Sequence, residues 1–185
     1  MKSRWIVTAF GKDRPGIVAG VAKILYQRGC NLEDSAMTRL EGEFAIMLIF
    51  SAGPAMTAER LQTAFEPLQR RMRLAIHLKR LTKPETATPR ARGRRYLISV
   101  YGADRPGIVA HVSELLARSG ANIVDVHTHR SVASGVRRGP SLYLLVLEVE
   151  LSRTVSAPSV ERKLKHAAQR LHVEVNMHPA DVTVL

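Results

Sequence analysis

Cysteine is nearly absent from this chain of 185 residues, in which Cys30 is the only one. A single thiol excludes an intrachain disulfide framework and a cysteine-based metal cage within one chain. Cys30 lies where an apolar segment gives way to a polar one. We interpret it as a small packed residue rather than a nucleophile.

Long apolar runs are lacking as well. The N-terminal run that begins at Trp5 ends by Gly11, which is too short for the core of a signal peptide or for a membrane span. We therefore expect a soluble, cytoplasmic protein that makes no contact with a membrane.

Acidic residues are few, and the formal net charge is +12. Between Lys79 and Arg95, seven basic residues accompany a single acid, Glu85, together with Pro84 and Pro89. We interpret this stretch as a solvated, flexible linker. The alternative is a basic segment that binds an acidic protein partner or nucleic acid electrostatically.

One stretch occurs twice. Residues 11–19 read Gly-Lys-Asp-Arg-Pro-Gly-Ile-Val-Ala and return as residues 102–110, at an offset of 91, with eight of nine positions identical. The chain is therefore interpreted as two copies of one unit. We assign domain 1 to residues 1–81, the basic linker to 82–94 and domain 2 to 95–185.

Strand patterns recur within the first copy. Short β-branched and alternating apolar segments predict strands over residues 5–10, 31–40 and 44–50, and a fourth strand that carries Leu74, Ile76 and Leu78. Glu41 and Gly42 predict a tight turn between the second and third strands.

Two helices complete the unit. Apolar residues at helical spacing predict a first helix over residues 15–28, which Gly29 ends in the left-handed conformation. A second helix is predicted to begin at Thr57 and to be kinked or ended by Pro67. The order β-α-β-β-α-β predicts an α+β fold of two tandem ferredoxin-like domains, each an antiparallel sheet with both helices on one face.

The second copy keeps the offset of 91 as far as Arg130. Phe44 then aligns with Leu142, an offset of 98, which predicts seven extra residues in the loop over residues 131–140. That loop carries Arg137 and Arg138.

The third strands are apolar on both faces, over residues 44–50 and 142–147. Two helices can cover only one face of each sheet. We expect the other face to be buried against a second sheet or a second chain, which predicts a homo-oligomer.

The repeated turn has the composition of a helix start. Asp13 and Asp104 are expected to cap the helix, and Pro15 is expected in its first turn. A glycine such as Gly16 weakens the first turn of a helix by up to roughly 1 kcal/mol relative to alanine. Its presence is explained if something must approach the backbone closely. Because a helix N-terminus offers free N–H groups and the positive end of a dipole, we predict a carboxylate site there.

This order of motifs resembles the ACT domain, a small-molecule-sensing module. It consists of a strand, the turn Gly-x-Asp-Arg-Pro-Gly-Ile-Val-Ala, a helix and then Gly-x-Asn. Two such units in tandem resemble the glycine cleavage system transcriptional repressor family. The same turn also introduces formyltetrahydrofolate deformylases, but their catalytic domain has no counterpart in these 185 residues.

The resemblance implies an amino-acid effector, often glycine or serine, that binds where two units pair. It implies a regulator that acts through a protein partner, such as a transcriptional activator, and is relieved by glycine. The implied ligand-binding residues are Asp13, Arg14, Pro15, Gly16 and Asn31 in the first copy, and Asp104, Arg105, Pro106, Gly107 and Asn122 in the second. The copies differ at Lys12/Ala103 and Cys30/Ala121, so they need not bind the same ligand.

Other chemistries have little support. His127 and His129 have metal-ligand spacing on one strand, but no third ligand is evident, and we interpret them as surface or interface histidines. No nucleophile elbow or phosphate-binding loop is present, so we expect neither an enzyme, a metal nor another cofactor. With aromatics at 5%, and third strands that lack the Lys/Arg-Gly-aromatic pattern, an RNA-stacking sheet is disfavoured.

Two further functions stay open: a direct nucleic-acid binder that uses the basic linker with Arg137 and Arg138, and a regulatory subunit of a metabolic enzyme. For a regulator that acts through a protein, we predict no specific gel shift with purified protein and DNA or RNA at physiological salt. An affinity that falls steeply with added salt would contradict this prediction and favour direct binding through phosphate contacts.

Overall fold

The computed structural model of the chain describes residues 2–82, 93–132 and 141–180. These residues form two compact units. Most of the predicted linker and the loop residues Arg137 and Arg138 lie outside the described residues. The domain boundaries therefore stay a prediction, although the first strand of the second unit already begins at Gly93.

Each unit has six elements in the predicted order. The first contains β1 (Ser3–Lys12), α1 (Ile17–Gln27), β2 (Asn31–Leu40), β3 (Glu43–Ala52), α2 (Ala58–Met72) and β4 (Ala75–Leu81). The second contains β5 (Gly93–Ala103), α3 (Ile108–Arg118), β6 (Ala121–Val132), β7 (Ser141–Ser152), α4 (Ala157–Leu171) and β8 (Val173–Pro179). None of the helices in the described part of the chain has the length and apolar character needed to span a bilayer.

Both sheets have four strands and are antiparallel throughout. The strand order is β2-β3-β1-β4 in the first unit and β6-β7-β5-β8 in the second. The predicted α+β, ferredoxin-like fold is confirmed for both units. In each unit the first and last pairs of consecutive strands are joined by a helix, and the middle pair follows without one.

The core of each unit lies between the sheet and its two helices. In the first unit the buried strand residues alternate, so that one face of β1 and β3 packs on the helices; they include Trp5, Val7, Ala9, Ile46, Leu48 and Phe50. Burying one such large side chain contributes about 1.5–3 kcal/mol. The predicted helical stripe Leu61, Ala64, Phe65 and Leu68 is buried as expected.

Most predicted helix ends and turns are confirmed. Gly29 and Gly120 adopt left-handed φ angles of 64° and 73°, each one residue after the C-cap of α1 or α3. Thr57 caps α2, and its hydroxyl oxygen accepts the N–H of Arg60 at 3.3 Å. Of the two effects predicted for Pro67, a kink or an end of α2, the end is wrong, because the helix continues to Met72.

The hairpin between β2 and β3 is also as predicted. Glu41 and Gly42 have φ angles of 47° and 83° and form its two-residue turn. Positive φ at both central residues gives a turn whose twist matches that of the flanking strands.

The predicted alignment of the third strands is wrong by one residue. Gly11 lies opposite Phe44 in the first sheet, and the equivalent Gly102 lies opposite Tyr143 in the second. The offset is therefore 99, not 98, and the loop is eight residues longer rather than seven. Phe44 and Leu142 are both apolar, but a shift of one residue places a side chain on the other face of a sheet.

In each unit, considered separately, the sheet face opposite the helices exposes apolar side chains. Phe10 and Met47 are exposed in the first unit, as are Leu97 and Tyr101 in the second. What covers these faces, and hence the oligomeric state, stays a prediction.

The left-handed cap at Gly29 can be tested against a matched glycine. An added Cβ would meet nothing within 4 Å at Gly29 or at Gly53, and only Gly29 has a left-handed φ. We expect Gly29→Ala to lower the free energy of unfolding by about 1 kcal/mol, the cost of a side chain in this conformation. Gly53→Ala should leave that free energy unchanged or slightly higher.

Urea unfolding followed by the fluorescence of Trp5 measures this difference, since Trp5 is the only tryptophan and lies buried in the same unit. Equal midpoints for the two variants would refute the assigned backbone conformation.

Candidate functional site

The repeated turn joins β1 to α1 and β5 to α3. The helices begin at Ile17 and Ile108, and the N-cap residues are Gly16 and Gly107, with φ of 92° and 97°. Both glycines are thus in a left-handed conformation that other residues adopt only with strain. The backbone itself requires glycine here, so the presence of these glycines alone does not indicate a ligand.

The expectation that Asp13 and Asp104 cap the helices is wrong. Neither helix has a side-chain cap, because the left-handed glycine delays its start and places the aspartate three residues before the N-cap. For the same reason Pro15 precedes the helix instead of lying in its first turn.

The aspartates instead tie the turn to the sheet. A carboxylate oxygen of Asp13 lies 3.1 Å from Nη1 of Arg39 on β2, and Asp104 lies 3.6 Å from Nη1 of Arg130 on β6. The backbone N–H of Asp13 donates to the carbonyl of Gly42 at 2.9 Å. The sequence alone assigns no role to Arg39 and Arg130, although their separation of 91 residues marks them as equivalent positions of the two copies.

The N-terminus of α1 is therefore left with free donors. Gly20 makes the first intrahelical bond, to the carbonyl of Gly16, and the amides of residues 17–19 have no acceptor within the helix. No acidic residue lies in the first turn, and Gly16 and the neighbouring Arg14 are exposed. The positive end of the helix dipole and these amides suit a carboxylate.

Arg14 and its equivalent Arg105 are both exposed. Within the ranges 2–82, 93–132 and 141–180, the ion pairs at the turns are made by Arg39 and Arg130 instead. The guanidinium groups of Arg14 and Arg105 are thus the cations that remain available beside each helix start.

The two turns differ in one neighbour. His111 on α3 occupies the position of Gly20 on α1, and its Nδ1 lies 2.8 Å from the carbonyl oxygen of Gly107. Since a carbonyl only accepts, Nδ1 carries the proton and donates. A Cβ built on Gly107 would lie 3.1 Å from this ring, whereas one on Gly16 would meet only Cε of Met72, at 3.6 Å. The first turn is open and the second is flanked by an imidazole.

Asn31 and Asn122 lie away from the turns of their own units. Asn31 is opposite Ser51 on β3, whereas the turn adjoins the other end of that strand, near Phe44. Along β2 this separation is about 25 Å. One unit alone therefore brings Asp13 to Gly16 together but does not bring Asn31 to them.

The two strand histidines form no metal centre with other described residues. Nε2 of His127 lies 3.0 Å from a carboxylate oxygen of Asp125, and both groups are exposed. No cluster of three or more His, Cys, Asp or Glu side chains with metal-binding geometry occurs within the described ranges.

Comparison with protein families matches the chain twice to the ACT domain, over residues 3–79 and 94–178. The two matches correspond to the two structural units and together cover most of the chain.

Among curated proteins, the glycine cleavage system transcriptional repressor of Escherichia coli is 26% identical over 173 residues, which are 92% of this chain and 85% of that protein. A UPF0237 protein of Methanopyrus kandleri is 38% identical over 89 residues, which are 48% of this chain and 90% of the relative.

Two solved structures are similar to this chain over nearly its full length. The crystal structure of an unknown protein from Galdieria sulphuraria has a TM-score of 0.82 at 26% identity, covering 98% of this chain and 100% of that one. A structure provisionally assigned as a glycine cleavage system transcriptional repressor has a TM-score of 0.71 at 18% identity, covering 98% and 99% of the two chains. The second likeness concerns the fold alone.

The reactivity of Cys30 tests its interpretation as a packed residue. Partial burial raises the pKa of its thiol above the ordinary value, and the positive charge of Arg28 opposes this only in part. Because only the thiolate is alkylated, we expect iodoacetamide to react more slowly at pH 8 than with a cysteine model peptide, with the rate rising at a higher pH. A rate above that of the peptide would contradict a packed thiol.

Proposed function

Because the chain belongs to the ACT-domain family, we propose that it is a non-enzymatic regulator that senses a small amino acid at its repeated turn. The observation that carries this proposal is the N-terminus of α1, which has no side-chain cap and directly follows the exposed Gly16. Among the other described helices, α2 is capped by Thr57, and the first turn of α4 contains Pro158, which has no N–H to satisfy. The start of α3 has no side-chain cap, as in α1.

The carboxylate of the amino acid would take the place of the missing cap. Amides of residues 17–19 donate to its oxygens, and the exposed Arg14 adds a positive charge. Asp13 would not bind the ligand directly in this arrangement. Its ion pair with Arg39 and its backbone bond to Gly42 hold the turn in place.

We propose that the two turns bind unequally. The first is open, whereas His111 already donates to the carbonyl of Gly107 and flanks the second. A ligand at Pro106 and Gly107 would have to share this space with the imidazole ring. The first turn is therefore the stronger site, and Asp104, Arg105, Pro106 and Gly107 form the weaker one.

Asn31 and Asn122 can join such a site only from another copy of the unit, since each lies far from the turn of its own sheet. Their participation is consistent with ACT units that act in pairs and with the exposed apolar sheet faces. Asn31→Ala should then weaken binding without altering the turn itself.

The regulatory target is proposed from the relatives. The E. coli relative, which this chain matches over most of its length, is named a transcriptional repressor of the glycine cleavage system. We propose that this chain regulates transcription through a protein partner, and that glycine or serine relieves the contact. Its action is cytoplasmic in this proposal.

Calorimetric titration of the full chain with glycine, serine and other amino acids tests the sensor. We expect a heat of binding that is specific to certain amino acids. Gly16→Val should abolish binding at the stronger site, because the β-branched side chain blocks the turn. Gly107→Val should remove only the weaker component.

Gly29→Val is the matched control, since it strains an equally left-handed glycine with open surroundings away from the turn. It should retain both components. Absence of heat with every amino acid would eliminate the sensor, and unchanged binding by Gly16→Val would eliminate this turn as its site.

A further inference from the structure

A surface cavity of about 450 Å³ lies along the groove between α3 and α4 in the second unit. Its floor is apolar, with Leu115, Ala167 and Leu171, and its rim is charged. This volume falls within the range of about 300–1,000 Å³ that is typical of small-molecule sites. The groove is separate from the free amides at the start of α3.

The groove exists because the two copies pack their helices differently. Helices α2 and α4 correspond at the offset of 99, which makes Leu68 the equivalent of Ala167. Leu68 is buried, and its Cδ1 lies 2.6 Å from the position that a Cβ on Gly20 would occupy. In the first unit a large side chain thus fills the space opposite a glycine.

In the second unit the pair is reversed in size. Ala167 is too short to fill the groove, and His111, the equivalent of Gly20, stands at its edge with its ring turned to the carbonyl of Gly107. The space that Leu68 occupies in one copy is open in the other. An imidazole is added where the first copy has no side chain.

The rim of the groove is predominantly cationic. Arg118 pairs with Glu114 at 2.6 Å, which accounts for the one acid of the lining. Lys163 and Arg170 lie seven residues apart on one side of α4, and within the described ranges no carboxylate is within ion-pairing distance of either. Ala64 and Arg71 stand at the equivalent positions of the first unit, so Lys163 is a cation that only the second copy has.

We propose that this groove binds a small organic anion with an apolar body. The body lies on Leu115, Ala167 and Leu171, and the carboxylate, phosphate or sulfonate meets Lys163 and Arg170. Charge-assisted hydrogen bonds to such a group are about twice as strong as neutral ones. The site differs from the amino-acid turn in location and in its need for an apolar ligand.

The anionic dye 8-anilinonaphthalene-1-sulfonate is the probe, since it combines an aromatic body with one sulfonate. Titration of the full chain, followed by dye fluorescence, should show a saturable site. We expect the double variant Lys163→Glu, Arg170→Glu to weaken it about tenfold or more, as loss of a charge-assisted bond implies. Arg162→Glu makes the charge change of one of these two substitutions at an exposed neighbouring position outside the lining, and its affinity should stay within about twofold.

Ala167→Leu fills the groove with the residue that the first unit uses and should abolish the saturable component. If this variant is destabilised, His111→Gly with Ala167→Leu restores the size pairing of the first unit and should have the same effect. Circular dichroism checks that each variant is folded.

Loss of dye binding with Arg162→Glu to the same extent as with the double variant would overturn the proposal, as would unchanged affinity in folded Ala167→Leu. Gly16→Val should leave dye binding intact, so failure of the amino-acid site and failure of the groove are distinguished.

Discussion

The left-handed backbone at Gly16 and Gly107 is the constraint on which the site depends. It delays each helix until the residue after the glycine, and it moves the preceding aspartate out of capping range. The aspartate then pairs with an arginine of the neighbouring strand and fixes the turn against the sheet. What remains is a helix start with unused amides, preceded by a glycine that has no side chain to cover them.

Duplication has produced two units with one architecture and different surfaces. A change at one helix position, Gly20 against His111, flanks the second turn with an imidazole. The matching change on the facing helix, Leu68 against Ala167, opens a cationic groove beside it. The first unit thus has the more open turn and the second has the cavity, so the two units differ chemically at these equivalent positions.

Much of the fold could be predicted from the sequence, because periodicity and turn chemistry are local. Strand β2 begins and ends at the predicted residues 31 and 40, and the caps at Gly29 and Thr57 are as expected. The helix start was predicted wrongly, since Asp13 has a capping side chain but its position depends on a backbone angle. The third-strand register was also predicted wrongly, because apolar residues on both faces hide a one-residue slip. The separation of Asn31 from the turn follows from strand direction, which the motif does not encode.

Residue-resolved NMR provides the most direct measurement of the central claim. Glycine titrated into ¹⁵N-labelled protein should produce its largest amide shifts at residues 16–19, with smaller shifts at residues 107–110 and none at Gly53. If the amides of the first turn do not shift, whether or not amides elsewhere do, the result would contradict a carboxylate-binding site at the uncapped start of α1.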